Sequence, residues 1–220
     1  MAVKSPSLRD AHRKKTSRAL RLAALELFAA QGYDTTKTEE VAEKAGVSAR
    51  TFFRYFPTKE SVLDSGQNAF IQSLVATYLT IPTSVGDLEA MHVALRTLSV
   101  KFRSSRSSLR LYEKIVASSL ALRGRKLDHQ EQHIRTIAAA VATRNGLERA
   151  DDYCTMIGTL GMLPYRRALD AWLHQPEGTD LGELISAEFD LMVRTLKKSP
   201  VRPSRAAAAS SIEAPRRARA

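Results

Sequence analysis

Cysteine is nearly absent, with Cys154 alone in 220 residues. One thiol closes no intrachain disulfide and cannot build a Cys-ligated zinc finger, so both scaffolds are excluded and a reducing compartment is expected. Long apolar runs are missing as well. Residues 19–30 are interrupted by Arg21 and Glu26, and residues 156–163 fall short of the ~18 apolar residues a membrane span needs. No apolar run follows the basic start, Lys4, Arg9, Arg13, Lys14 and Lys15, so no secretory signal is expected. The chain reads as cytoplasmic, with no membrane partner.

Acidic residues are in deficit: Asp+Glu 23 against Lys+Arg 34 gives a net charge of +11, which suits a partner made of phosphates. The surplus is not spread evenly. Residues 1–60 hold 12 basic and 7 acidic side chains, residues 61–196 hold 15 of each, and residues 197–220 hold 7 and 1. A neutral body thus lies between two basic ends, which implies two separate roles rather than general solubility.

Residues 1–14 read as a basic flexible leader. Residues 199–220 combine Pro, Ser, Ala and Arg without an aromatic side chain, so they cannot bury enough surface to offset their ordering entropy. That stretch reads as a disordered basic tail, either a non-specific DNA-contacting arm or merely solvated.

Between them the pattern is helical throughout, with no sustained alternation and no Asn-Gly or Asp-Gly hairpin. Leu20, Ala23, Ala24, Leu27 and Phe28 recur at three- and four-residue spacing, and Gly32 marks the end of that helix. Hydroxyls in Thr35-Thr36-Lys37-Thr38 offer caps for a helix of about two turns carrying Glu39, Val41 and Ala42. Gly46 then breaks the chain, Ser48 caps a second short helix over 49–55, and Pro57 closes it. Thr58 caps the helix after that. Short helix, glycine turn, short helix is a helix-turn-helix, here over about 38–57.

Its second helix places Ser48, Ala49, Arg50 and Thr51 at the end that enters a major groove, the groove in which all four base pairs differ. Arg50 has the fork to hold guanine O6 and N7. Thr38, Tyr55 and Lys59 lie at helix ends suited to phosphates, and a small solvated helical subdomain is the competing reading.

The stretch ALELFAAQGYDTTKTEEVAEKAGVSARTFFRYFPTKESVL resembles the DNA-binding domain of the TetR family of transcriptional regulators. Phe28, Gly32, Tyr33, Thr36, Ala42, Gly46, Val47, Tyr55, Phe56 and Lys59 carry the resemblance, over about the first third of the chain. It implies an all-α fold: a three-helix DNA-binding domain over 15–62, then a helical-bundle domain over 63–198 for ligand binding and dimerisation. It implies DNA contacts from Thr38, Glu39, Ser48, Ala49, Arg50, Thr51, Phe53, Arg54, Tyr55 and Lys59. Phe53 stands where the family usually has Tyr, which removes one hydroxyl from that set.

The body divides into expected helices near 59–81, 87–103, 106–122, 126–144, 150–174 and 180–197, with Gly124 and Gly146 as middle breaks and a bend at Pro164. Met156, Leu160, Leu163, Leu169, Leu184, Phe189 and Met192 are expected at a homodimer surface, with Gly158 and Gly161 allowing close approach. Met91, Phe102, Tyr112 and Trp172 are candidate walls of a ligand cavity, or plain core. Arg103, Arg106 and Arg110 among serines suit a phosphorylated ligand, or a serine-capped helix start with solvated arginines. The segments FFRYFPTKE and ALDAWL are similar to actinobacterial members that take acyl-CoA-like ligands, which implies an effector of that kind.

Enzyme chemistry finds little footing. His129 and His133 sit four apart in HQEQH rather than HExxH, without a third ligand, and neither a GxSxG elbow nor a phosphate loop is present. No cofactor or metal is implied. The expected function is a dimeric regulator bound to a palindromic double-stranded operator and released by a small molecule. A non-specific architectural binder driven by the basic tail is the alternative.

Overall fold

The computed structural model describes residues 8–198. The expected disordered tail, 199–220, and the first residues of the basic leader lie outside the described residues. Nine α-helices and one 3-10 segment are present among the described residues, without a strand. They are α1 (Leu8–Gln31), α2 (Thr38–Lys44), α3 (Ala49–Tyr55), α4 (Ser61–Thr80) and α5 (Asp87–Ser99), a 3-10 segment (Val100–Ser105), then α6 (Arg106–Ser118), α7 (Leu120–Arg144), α8 (Asp152–His174) and α9 (Leu181–Lys198). The fold is all-α, with a helix-turn-helix at its N-terminal end and a helical bundle after it.

Local chemistry sets the first boundaries. Residues 8–14, expected to belong to a flexible leader, instead form the opening turns of α1. At its far end Gly32 takes φ +93°, a left-handed conformation open to glycine, and its N–H still reaches Phe28 O at 3.1 Å. The cap of α2 differs from the expected hydroxyl. Lys37 is the N-cap residue, and its backbone N–H donates to the Glu40 carboxylate at 2.8 Å. Ser48 caps α3 as its sequence suggests, accepting from Thr51 N–H at 3.2 Å.

Two cores result, and they do not divide where the sequence divides. Leu20, Ala24, Phe28, Val41, Phe52 and Val62 form the core of the helix-turn-helix, but Tyr112, Ile115 and Val116 of α6 and Leu122 of α7 complete it. The second core runs from Ile71, Leu74 and Tyr78 of α4 through α5, α7, α8 and α9. α4 belongs to both, with its first turn in one and its last turns in the other.

Several expected breaks fall elsewhere. Gly124 lies inside α7, and the junction is at Ser119, whose extended backbone and Oγ begin the helix by accepting from Leu122 N–H at 3.4 Å. α5 stops at Ser99 and tightens into the 3-10 segment rather than running to residue 103. Pro164, expected to split or bend its helix, does not split α8, which is unbroken from Asp152 to His174. Proline removes one backbone hydrogen bond, and the packing of this helix between α7 and α9 outweighs that local loss.

Buried cations tie the bundle together. Arg144, at the end of α7, donates to Asp87 at 3.1 Å and to the carbonyls of Ile81, Pro82 (2.8 Å) and Val85 (2.6 Å), closing the α4–α5 turn. Tyr78 Oη donates to the same carboxylate at 2.6 Å, as do Asn145 and Tyr153, each at 3.0 Å. Arg106 acts similarly at the far end of α8. Its guanidinium lies 4.6 Å from the centre of the Trp172 ring and donates to the carbonyls of Trp172, Gln175 (2.5 Å) and Pro176 (2.9 Å). Arg110 adds a bond to Leu173 O at 2.6 Å. A helix C-terminus presents unpaired carbonyls and partial negative charge, and two arginines satisfy both here.

Arg144→Ala leaves Asp87 without its cation and the Ile81 and Val85 carbonyls without their side-chain donor, and should cost about 3–5 kcal/mol, read from urea midpoints. Burial alone would raise the Asp87 pKa, but the bonds from Tyr78, Asn145, Tyr153 and Arg144 outweigh it and hold the carboxyl below its ordinary range. Its contribution to stability is therefore complete above the ordinary aspartate pKa of about 4 and is lost as pH falls through the lowered native value. Asp87→Asn should make stability less dependent on pH on that acid limb.

Candidate DNA-reading surface and cavity

α3 presents a sharply divided surface. Phe52 is fully buried and Phe56 nearly so, while Ser48, Arg50, Phe53 and Arg54 are exposed and Ala49, Thr51 and Tyr55 are partly so. Gly46, at φ +70°, makes the turn that aims this helix outward, and Val47 N–H returns to Ala42 O at 2.9 Å. Phe53 is 47% exposed and meets the Phe52 ring edge-on at 5.4 Å. Arg54 lies 5.5 Å from the centre of the Tyr55 ring. Thr38 and Glu39 occupy the first turn of α2 and bond each other at 3.2 Å.

Lys59, expected at a phosphate, is engaged within the chain. Its Nζ turns inward and donates to Tyr33 O at 2.6 Å, Thr36 O at 3.0 Å and Asp34 O at 3.4 Å. It also lies 4.3 Å from the centre of the Tyr33 ring. Its neighbour Glu60 accepts from Tyr33 Oη. Burial would raise the Glu60 pKa, but that bond, its local hydrogen bonds and Arg125 together hold it low. Residues 59 and 60 thus clamp the loop from α1 to α2, on which the angle of the whole motif depends.

Sequence reasoning missed three side chains. Arg9, His12 and Arg13 of α1 border a single depression with Arg54 and Tyr55 of α3. The leader's basic run was the available signal, but only its helical continuation into α1 brings it beside α3.

A cavity of about 400 Å³ opens between α1, α4, α6, α7, α8 and the 3-10 segment. Of the four candidate wall residues, Phe102 and Tyr112 line it. Met91 and Trp172 do not. Met91 is buried where a Cβ on Gly161 would lie 2.6 Å from its Cγ, and Trp172 is sealed beneath Arg106 with its Nε1–H on Thr179 O at 2.8 Å. Phe70, Tyr165 and Leu109 are walls the sequence did not single out. Tyr112 belongs to both the cavity and the core beneath α1, so the two regions share a side chain.

The remaining candidates also find their places. Gly158 and Gly161 pack within the chain, against Ile134 of α7 and Met91 of α5, rather than at a free surface. Phe189 is buried and stacks on His92 at 4.7 Å. Met156 and Leu163 of α8 remain exposed, and so do Tyr153, Leu191, Val193 and Leu196. His129 lies 3.3 Å from the Asp64 carboxylate, and His133 bonds the Asn68 amide oxygen at 3.2 Å. No group of three or more His, Cys, Asp or Glu that could hold a metal occurs among the described residues, and no described helix is long and apolar enough to cross a membrane.

Comparison with known proteins agrees with this architecture. Residues 20–65 match the family model of bacterial regulatory proteins of the tetR family, and residues 87–197 match the MftR C-terminal domain. The chain is 31% identical over 198 residues to the HTH-type transcriptional regulator TcmR of Streptomyces glaucescens, covering 87% of each. It is 25% identical over 171 residues to the regulator MftR of Mycobacterium tuberculosis, covering 77% of this chain and 85% of that one. Among solved structures, the fold is similar to that of Thermus thermophilus FadR, a TetR-family repressor in complex with lauroyl-CoA. That match has TM-score 0.51 and 23% identity, covering 86% of this chain and 100% of that one.

Lys59→Met separates the clamp from a phosphate contact. Removing three carbonyl partners should lower stability by about 1–3 kcal/mol in the absence of DNA. A lysine held only by phosphate would leave the free protein's thermal midpoint unchanged and reduce the salt slope of DNA binding by about one.

Proposed function

Because the chain belongs to the TetR family of bacterial regulatory proteins, we propose that it is a dimeric transcriptional repressor released from a palindromic operator by a small molecule in the bundle cavity. The observation that carries this reading is the shared core. α6 supplies Ile115 and Val116 to the packing beneath α1, and its Tyr112 also lines the cavity. A molecule that alters the cavity therefore acts on the support of the DNA-reading helix.

Two α3 helices held ~34–36 Å apart read successive turns of one face of DNA. The exposed apolar side chains of α8 and α9 supply the surface that pairs two chains. Ligand binding favours a state in which the spacing is wrong, and a tenfold loss of operator affinity needs only about 1.4 kcal/mol of differential binding. Arg50, exposed in the first turn of α3, reads a base, while Thr38 and Tyr55 meet the backbone. The basic cluster of Arg9, Arg13 and Arg54 adds sequence-independent attraction. Such a regulator works in the cytoplasm and catalyses no reaction.

The acyl-CoA-like effector implied by sequence gains nothing from the arginine segment. Arg106 is buried against the carbonyls at the end of α8, Arg103 pairs with Asp180 at 2.7 Å, and the exposed Arg110 directs its Nε to Leu173 O, so none of the three points into the cavity as a free cation.

Selection of the purified protein against random duplex DNA at physiological salt, where non-specific phosphate binding is weakened, tests the reading. Enriched sequences should share an inverted repeat. Arg50→Ala should relax one position of each half-site, worth about 1–3 kcal/mol, without weakening binding to scrambled DNA. Persistent binding with no shared sequence would overturn the operator model and assign the affinity to the basic ends.

A further inference from the structure

The cavity wall is unevenly charged. Its body is aromatic: Phe70 stacks on Tyr165 with centroids 4.9 Å apart, and Phe102 meets Phe70 edge-on at 5.2 Å. Around this lie four cations, Arg21, Lys101, Lys126 and Arg166, against two carboxylates, Glu113 and Asp170. Lys126 and Glu113 satisfy each other at 2.6 and 2.8 Å. Among the described residues the two arginines have no such partner. Arg166 bonds the Gln130 amide oxygen at 3.3 Å, and the buried Nε of Arg21 has no hydrogen bond.

A guanidinium drawn out of water without a counter-ion is costly, and natural folds pair it or leave the position to a ligand. Burial holds the pKa of both arginines below the ordinary range, reinforced at Arg21 by the nearby Arg18. Among the described residues no carboxylate offsets either one. Electrostatic complementarity therefore calls for negative charge from outside the chain.

Arg21 has a further property. It belongs to α1, the helix that supports α3, and it reaches the cavity across Gly66 of α4. A Cβ at Gly66 would occupy the place of its guanidinium. Charge bound in the cavity is thus felt directly by the DNA-binding domain.

We propose that the cavity selects an amphipathic anion, with an apolar body against Phe70, Phe102 and Tyr165, and that Arg21 reads the acidic group for α1. This rests on the cavity being the effector site. The ligand class is set by an aromatic wall with surplus cations, one of which is rooted in the DNA-binding domain.

Two fluorescent probes of one shape test the proposal on the full-length protein: 1-anilinonaphthalene-8-sulfonate and its uncharged analogue N-phenyl-1-naphthylamine. Leu109→Trp fills the cavity and should abolish binding of both. Arg21→Gln and Arg166→Gln should each weaken the sulfonate about tenfold and leave the neutral probe within about twofold. Arg21→Lys should recover part of the loss. Saturating sulfonate should weaken the wild-type complex with its selected DNA and leave that of Arg21→Gln unmoved.

If both arginine variants bind the sulfonate as wild type does, the charge-reading proposal falls while the effector cavity stands. A sulfonate effect on DNA that survives in Arg21→Gln overturns the role of Arg21 in particular. If neither probe binds, or both still bind after Leu109→Trp, the cavity is not the effector site and both readings fail. Thermal midpoints and helicity of the variants, compared with wild type, separate lost recognition from lost folding, and Arg166→Gln supplies a second test away from α1.

Discussion

A helix of seven residues cannot hold itself together in water, and α3 is such a helix. Its conformation is borrowed from what it rests on. Phe52 lies against the core formed by Leu20, Ala24 and Phe28 of α1, and α1 rests in turn on Ile115 and Val116 of α6. The exposed side chains of α3 are therefore positioned by a helix far along the chain. An isolated helix-turn-helix would expose that apolar face, so the bundle is part of the DNA-binding unit rather than an appendage to it. This dependence gives a ligand cavity in the bundle a mechanical route to α3.

Cations do unusual work at the helix ends. Lys59, Arg106, Arg110 and Arg144 each aim their donors at backbone carbonyls that helix ends and turns leave unpaired. A long side chain with several donors can collect carbonyls from a loop that has no other way to satisfy them, and its charge opposes the negative end of the helix dipole. The three arginines belong to the neutral body, where their charge is structural. The net positive charge comes instead from the two ends. This division explains why composition alone pointed to DNA and why a count of basic residues could not say which of them meet it.

Much of the helix-turn-helix was legible because its signals are local. Gly32 and Gly46 have positive φ, Ser48 caps α3, and Phe52 falls on the buried side at the expected helical spacing. The bundle was legible as helices but not in its joints. Gly124 looked like a break and Ser119 did not, because whether a glycine ends a helix depends on what packs over the next turn. The intrachain partners of Lys59 were not legible, since nothing local reveals that carbonyls 23 to 26 residues earlier fold back onto it. Met91 and Phe102 are both apolar residues on helical spacing, yet one fills space beside Gly161 and the other faces the cavity. Only the tertiary arrangement distinguishes them.

Core packing crosses the domain boundary expected near residue 62, and this bears on how a signal could travel. Two cores joined only by a linker would let the DNA-binding domain pivot freely, and a ligand would have little to act on. Here α4 threads both cores, while Tyr112 and Arg21 place cavity wall on either side of the junction. Close-packed interiors do not stretch smoothly; they exchange one packing for another. A ligand in this cavity must then favour one of a few arrangements of α1, α4 and α6 over the rest. The free energy needed for a tenfold change in operator affinity, about 1.4 kcal/mol, is comparable to a single charge-assisted hydrogen bond. One guanidinium gaining or losing an anionic partner supplies a difference of that size, without requiring the rest of the core to give up its packing.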